Sequence, residues 1–215
     1  MRRLALTLTV AAALFAVAAG SSARNLSFSS QGFRIVWTET EPLVIRKTAE
    51  MFGIDDLFHC PVTLEGSFSS ATMGKVVGAQ KAQITRETLG ACNLEHSWFE
   101  SLAFQPEAEW QVNYEAFTGT LPRITSLRWQ LIGFAFRAIE VGTLHPHCLW
   151  RSTAARPLHV RTERETGSGG LTSVAVEGAV PVFSGEGIAC REGTPSGAAT
   201  IRQSGSTAQI TVTLI

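Results

Sequence analysis

Hydrophobic and polar residues alternate with period two over much of this chain, and that alternation is its dominant structural signal. Phe33, Ile35 and Trp37 alternate with Arg34, Val36 and Thr38. Val62, Leu64, Gly66 and Phe68 alternate with Thr63, Glu65 and Ser67. Trp110, Val112, Tyr114 and Ala116 do so against Gln111, Asn113 and Glu115, and Ile210, Val212 and Leu214 against Gln209, Thr211 and Thr213. Successive strand residues point to opposite faces, so each apolar set is placed on one face of a half-buried strand, where β-branched and aromatic side chains pack well. Turn formers recur between these runs, at Gly119, Pro122, Gly142, Pro146, Pro157, Pro181, Gly193, Pro195 and Gly205 among others. The pattern predicts an all-β fold of many short antiparallel strands, either a β-sandwich or a closed or partly open β-barrel.

Three segments need separate treatment. Arg46 to Phe58 contains good helix formers around Ala49, Glu50 and Met51, so at most one short helix is expected near 46–58. In Ile124 to Val141, Leu127, Leu131, Phe134 and Ala138 have helical spacing, yet Leu127, Trp129 and Leu131 also alternate, with a change of phase at Ile132 and Gly133. A bulge or bend between two strands produces that change, and the neighbouring alternation favours strands. Gly167-Ser168-Gly169-Gly170 reads as a hairpin tip; a phosphate cradle would require a following helix or lysine, and neither is present.

The N-terminus has another character. Arg2 and Arg3 precede an apolar run from Leu4 to Val17, which ends in the small residues Ala18 to Ala23. This is the layout of a secretory signal peptide, and the run is shorter than the roughly 20 residues of a bilayer span. Residues 1–23 are expected to be removed, leaving 24–215 as one β-rich secreted or cell-envelope domain with no membrane span. The whole chain balances 18 basic against 18 acidic residues; loss of Arg2 and Arg3 leaves the mature part slightly acidic. With 45% hydrophobic and 17% charged residues it is neither a disordered segment nor a nucleic-acid binder. An outer-membrane barrel is disfavoured, since it needs strands of about ten residues and aromatic girdles, whereas this chain has one tyrosine and several short segments.

Export also explains the cysteines. Cys60, Cys92, Cys148 and Cys190 all lie in the exported part, and an even count there reads as disulfides. Of the three connectivities, Cys60 with Cys92 and Cys148 with Cys190 is preferred because it closes short, un-nested loops. The competing reading is a metal site. It would draw on His145 and His147, which point the same way if extended, and on His59 beside Cys60, but no two cysteines have zinc-ligand spacing and Pro146 marks a loop. No metal or other cofactor is expected.

Catalytic signatures are scarce. The only aspartates, Asp55 and Asp56, are adjacent, so their side chains diverge, and a turn or helix end is the expected setting. Neither a Gly-x-Ser-x-Gly elbow nor a lone cysteine is found, and Glu39, Glu41, Glu107 and Glu109 sit among loop-like residues. Among the five tryptophans, Trp37, Trp110 and Trp129 fall on alternating stripes and are assigned to the core. Trp98, in His96-Ser97-Trp98-Phe99, is the one candidate for a ligand-stacking surface.

The segments Tyr114 to Thr125, Cys148 to Thr153 and Ile210 to Ile215 resemble uncharacterised exported bacterial proteins, especially actinobacterial ones, and an excess of 15 arginines over 3 lysines suits a high-GC source. The resemblance implies export and no particular activity. The expectation is therefore a secreted or envelope β-domain that binds a ligand, a glycan or an envelope component through loops at one end of its sheets. The alternatives are a secreted hydrolase with histidine and glutamate converging in a cleft, and a structural envelope protein. An apolar barrel interior would instead indicate a small-molecule carrier.

Overall fold

A computed structural model describes residues 25–49, 54–95, 99–104, 110–120, 123–140, 147–165, 167–184 and 192–215. The fold is all-β. The first strands are β1 (Leu26–Phe28), β2 (Gly32–Trp37), β3 (Leu43–Ala49), β4 (Ile54–Cys60), β5 (Val62–Phe68) and β6 (Thr72–Met73). They are followed by β7 (Gln80–Leu89), β8 (Asn93–Glu95), β9 (Phe99–Phe104), β10 (Trp110–Thr120), β11 (Arg123–Ile132) and β12 (Ala135–Glu140). The last are β13 (His147–Arg151), β14 (Leu158–Arg164), β15 (Leu171–Glu177), β16 (Val182–Ser184), β17 (Gly193–Gln203) and β18 (Val212–Leu214).

Eight of these close into an antiparallel barrel in the order β15, β14, β11, β10, β7, β5, β2, β17, with β17 returning to β15. Closure is made by the pairing of Ser173 to Val176 with Thr200 to Gly197. The alternation places the expected residues inside: Phe33, Ile35 and Trp37 from β2, Val62, Leu64 and Phe68 from β5, and Leu127, Trp129 and Leu131 from β11 are all buried. Between them Arg34, Glu65, Arg86, Arg128 and Arg161 face outward, where cross-strand pairs such as Arg34 with Glu65 and Arg161 with Glu177 lie on the wall.

One barrel end is covered by the small sheet β18-β1-β6. Phe28 of β1 packs on Phe68, with ring centroids 4.3 Å apart, and reaches Trp129 at 6.5 Å. Arg164 pins this sheet to the barrel: its Nε donates to the Val212 carbonyl at 3.1 Å and its Nη1 to the Ile124 carbonyl at 2.9 Å.

Beyond the other end the wall strands continue as two flaps. In one, the first residues of β17 pair with β3, which pairs with β4 and then β8. In the other, β12 lies between β9 and β13, with β16 at the edge. The flaps meet where Gly193 of β17 lies over Phe136 and Trp150, rings stacked at 4.8 Å. The Cys60–Cys92 disulfide staples β4 to the segment entering β8. Closing a loop of 32 residues contributes roughly 3 to 4 kcal/mol in the chain-entropy account.

The short helix allowed near 46–58 does not form in the described part of that segment. Arg46 to Ala49 pair residue by residue with Leu57 to Ile54 in the β3–β4 hairpin, while Leu43, Ile45, Phe58 and Cys60 are buried between them. The short run of helix formers around Ala49 cannot repay helix nucleation, whereas the ladder and the burial act together. Asp55 and Asp56, expected at a turn or helix end, accordingly stand within β4 opposite Thr48 and Lys47. Ile124 to Val141 is strand over its described residues, β11 passing into β12 through Gly133, whose φ of 87° sets the bend and the change of phase. Gly167 to Gly170 belong to the connection between the paired strands β14 and β15, the expected hairpin.

Candidate functional site

The barrel interior is not completely filled. It contains a cavity of about 60 Å³. That exceeds the roughly 10 to 15 Å³ needed to hold one water. Eight-stranded barrels are at the size where side chains either fill the interior or leave room for one small ligand.

Every wall strand contributes. Phe33, Phe68 and Trp129 lie toward the end covered by β1, whereas Trp37, Leu43, Val62, Leu131, Phe134 and Leu158 form the end beneath the flaps. None of the lining residues is charged, and Thr162 has the only hydroxyl. That hydroxyl is committed: Trp129 Nε1 donates to Thr162 Oγ1 at 3.1 Å, and the hydroxyl lies 3.4 Å from the Leu127 carbonyl, to which it donates. The second indole is treated differently. Trp37 is 3% exposed, and its Nε1 has no hydrogen-bond partner among the described residues. Its ring lies over Gly197, where a Cβ would stand 3.4 Å from Nε1 and 2.8 Å from the Pro42 carbonyl oxygen. Gly197 has a φ of 128° and leaves the space that the indole occupies.

Tyr114 packs edge-on against Trp129, with centroids 6.0 Å apart, and burial pushes its phenol above the ordinary value of 10.0. A register shift after Val112 toward β7 and another after Tyr114 toward β11 let β10 send Val112 into the cavity and still bury Asn113 and Tyr114.

Histidine and glutamate do converge, but on the outer wall. His159 Nδ1 lies 2.9 Å from Glu115, whose carboxylate also bridges Arg128 at 3.3 Å. His59 and Glu95 are 4.0 Å apart on the β4–β8 flap. Neither pair lines the cavity, and both are side-chain contacts between strands on the outside of the sheets. Ser152 is buried and structural, donating to the Leu131 carbonyl at 2.8 Å and accepting from the Phe134 amide at 3.1 Å.

The sequence candidates are placed as follows. Cys60 and Cys92 are bonded to each other, as expected. Cys148 is fully buried and disulfide-bonded, and its expected partner Cys190 lies outside the described residues. Trp98 and His145 also lie outside them, and His147 stands at the start of β13 opposite Ile139. No group of three or more metal-type ligands occurs among the described residues. Trp37 and Trp129 are buried as assigned, but the buried surface they share is the wall of a cavity. No family model, curated protein or solved structure matches this chain.

Proposed function

We propose that the protein is an exported binding protein that holds one small, neutral, predominantly apolar molecule inside its barrel. The observation that carries this reading is the uncharged interior cavity, lined by residues from all eight wall strands. Left empty, a void of about 60 Å³ costs on the order of 1.4 kcal/mol at the rate measured for core cavities, and an apolar occupant returns that cost. A charged ligand would be desolvated with no counter-charge to receive it.

The leader-like N-terminus and the disulfide support an extracytoplasmic setting. No helix among the described residues is long and apolar enough to cross a membrane. The barrel wall also differs from the apolar outer band of a membrane barrel, since it presents Arg34, Glu65, Arg86, Glu115, Arg128, Arg161 and Glu177. Binding in the interior replaces the loop surface expected from the sequence as the leading reading.

Titration with cyclopentane, followed through the methyl resonances of the oxidised protein, tests it. Saturable shifts centred on Ile35, Leu64, Leu131 and Ile201 are expected. Ala82→Leu, which adds three carbons to a buried lining position, should abolish them. Absence of saturable shifts, or shifts that survive the filling substitution while that variant remains folded, would remove the barrel as the binding site and favour a structural role.

A further inference from the structure

We infer that the occupant enters and leaves the barrel at the end beneath the flaps, through the base of the β3–β4 hairpin, with Leu43 as the gate and the Cys60–Cys92 disulfide as the restraint on its opening. This rests on the interior-binding reading and specifies how that site is reached.

The two ends of the cavity are closed in different ways. At the end covered by β1, four aromatic rings form a plug. Phe28 lies 4.3 Å from Phe68 and 6.5 Å from Trp129, and Phe68 lies 5.0 Å from Phe33 and 6.4 Å from Trp129, between centroids. Among the described residues, none of the β18-β1-β6 sheet lines the cavity, so passage there requires the cap and the rings beneath it to move together. Close packing resists such displacement.

At the other end, the described lining residues that do not belong to the eight wall strands are Leu43 of β3 and Phe134 of the β11–β12 connection. Phe134 is fixed. Its amide donates to Ser152 Oγ at 3.1 Å, its carbonyl accepts from the Ser152 amide at 2.9 Å, and its ring packs edge-on against Trp110 at 4.8 Å. Leu43 stands on a hairpin outside the barrel ladder. The pairing of β3 with β17 runs from Lys47 to Val44 and stops one residue short of Leu43, and it includes Pro195, which has no N–H to donate.

Leu43 is held instead by its partner across the hairpin. It pairs with Cys60, both are buried, and Cys60 is bonded to Cys92, three residues beyond the end of wall strand β7. Between them the Gly90 amide donates to the Pro61 carbonyl at 2.9 Å. The bridge thus ties the residue opposite the gate to the barrel wall, and lifting the base of the hairpin works against it.

Exchange of cyclopentane between free and bound states, measured by NMR, tests this on the wild-type protein and on three variants. In Cys60→Ala/Cys92→Ala the association and dissociation rate constants should both rise about tenfold with the dissociation constant unchanged, because the bridge restrains opening and not the occupied interior. Leu43→Val thins the gate and should also raise the association rate; it decides the matter if the bridge-free variant does not fold. Phe28→Leu thins the opposite plug and should leave that rate as it is. Unchanged association in the bridge-free and Leu43→Val proteins, or an equal rise in Phe28→Leu, overturns the gate and leaves interior binding standing. Failure of cyclopentane to bind wild-type protein overturns the two together.

Discussion

Gly66 is the position where one added carbon should damage the barrel most. It lies in β5 directly opposite Phe33 of β2, and at the register shift between β5 and β7. A Cβ built there overlaps the Gln83 carbonyl oxygen and stands 2.6 Å from Phe33 Cζ and 2.9 Å from Phe33 Cε2. The ring could rotate away only into the cavity it lines, but the carbonyl belongs to the backbone of β7 and moves only if the ladder moves. Overpacking of this kind costs about 1 to 3 kcal/mol, and backbone involvement puts Gly66→Ala at about 3 kcal/mol. For a domain of this size that lowers the melting temperature by about 6 to 12 °C. Thermal unfolding followed by circular dichroism, with disulfides intact, measures it. Phe33→Leu separates the two contributions: removing the ring edge should cost less in the Gly66→Ala background than in the wild type, because part of the overlap is relieved. A Gly66→Ala protein that melts within 2 °C of wild type would refute the close approach, and additive effects in the double variant would refute the role of the ring.

Two further outcomes follow from the interior. Thr162→Val keeps the shape of the side chain but removes the acceptor of the Trp129 N–H, and should destabilise by about 1 to 3 kcal/mol in guanidinium titration, where an unchanged midpoint would contradict the pairing. Tyr114, the one tyrosine, has its phenol held above 10.0 by burial. The unfolded chain therefore loses this proton first, so stability is intact below about pH 10 and falls as pH rises beyond it. Absorbance at 295 nm should register tyrosinate only as the protein unfolds. Tyr114→Phe should lessen the alkaline loss, and titration of the native protein at the ordinary value without loss of stability would contradict the burial.

The strands were legible in the sequence because alternation is a local consequence of the pleat. Phe33 to Trp37, Val62 to Phe68 and Leu127 to Leu131 each name their own inward face, and the phase change at Gly133 marks a bend without any knowledge of partners. The β3–β4 hairpin was less legible. The composition around Ala49 is compatible with a helix, and the ladder that decides against it pairs Leu43 to Ala49 with Cys60 to Ile54. Closure was not legible at all. A sandwich and a barrel put the same residues inward, and what distinguishes them here is the pairing of Ser173 to Val176 with Thr200 to Gly197, a register between strands without a sequence signature of its own.

Closure also changes what burial means for the tryptophans. On a sandwich an inward indole is packing, so stripe residues and ligand-stacking residues are separate classes, and the search for a binding aromatic turns to an unpatterned one such as Trp98. In a closed barrel inward positions surround an enclosed volume, and the same alternation that puts Trp37 in the core puts it on the wall of a cavity. Trp129 spends its N–H on Thr162 within the wall, as a packing residue must, whereas Trp37 is buried equally and spends its N–H on nothing in the described structure. The glycine beneath Trp37 carries the same asymmetry: Gly197 adopts a φ that other residues rarely take, at the point where β17 passes from the flap to the barrel, and thereby leaves room for the indole. The room that Gly197 leaves is taken by the Nε1–Cδ1 edge of the indole itself, so the glycine is what lets β17 pass this close to an inward tryptophan at the junction of flap and barrel.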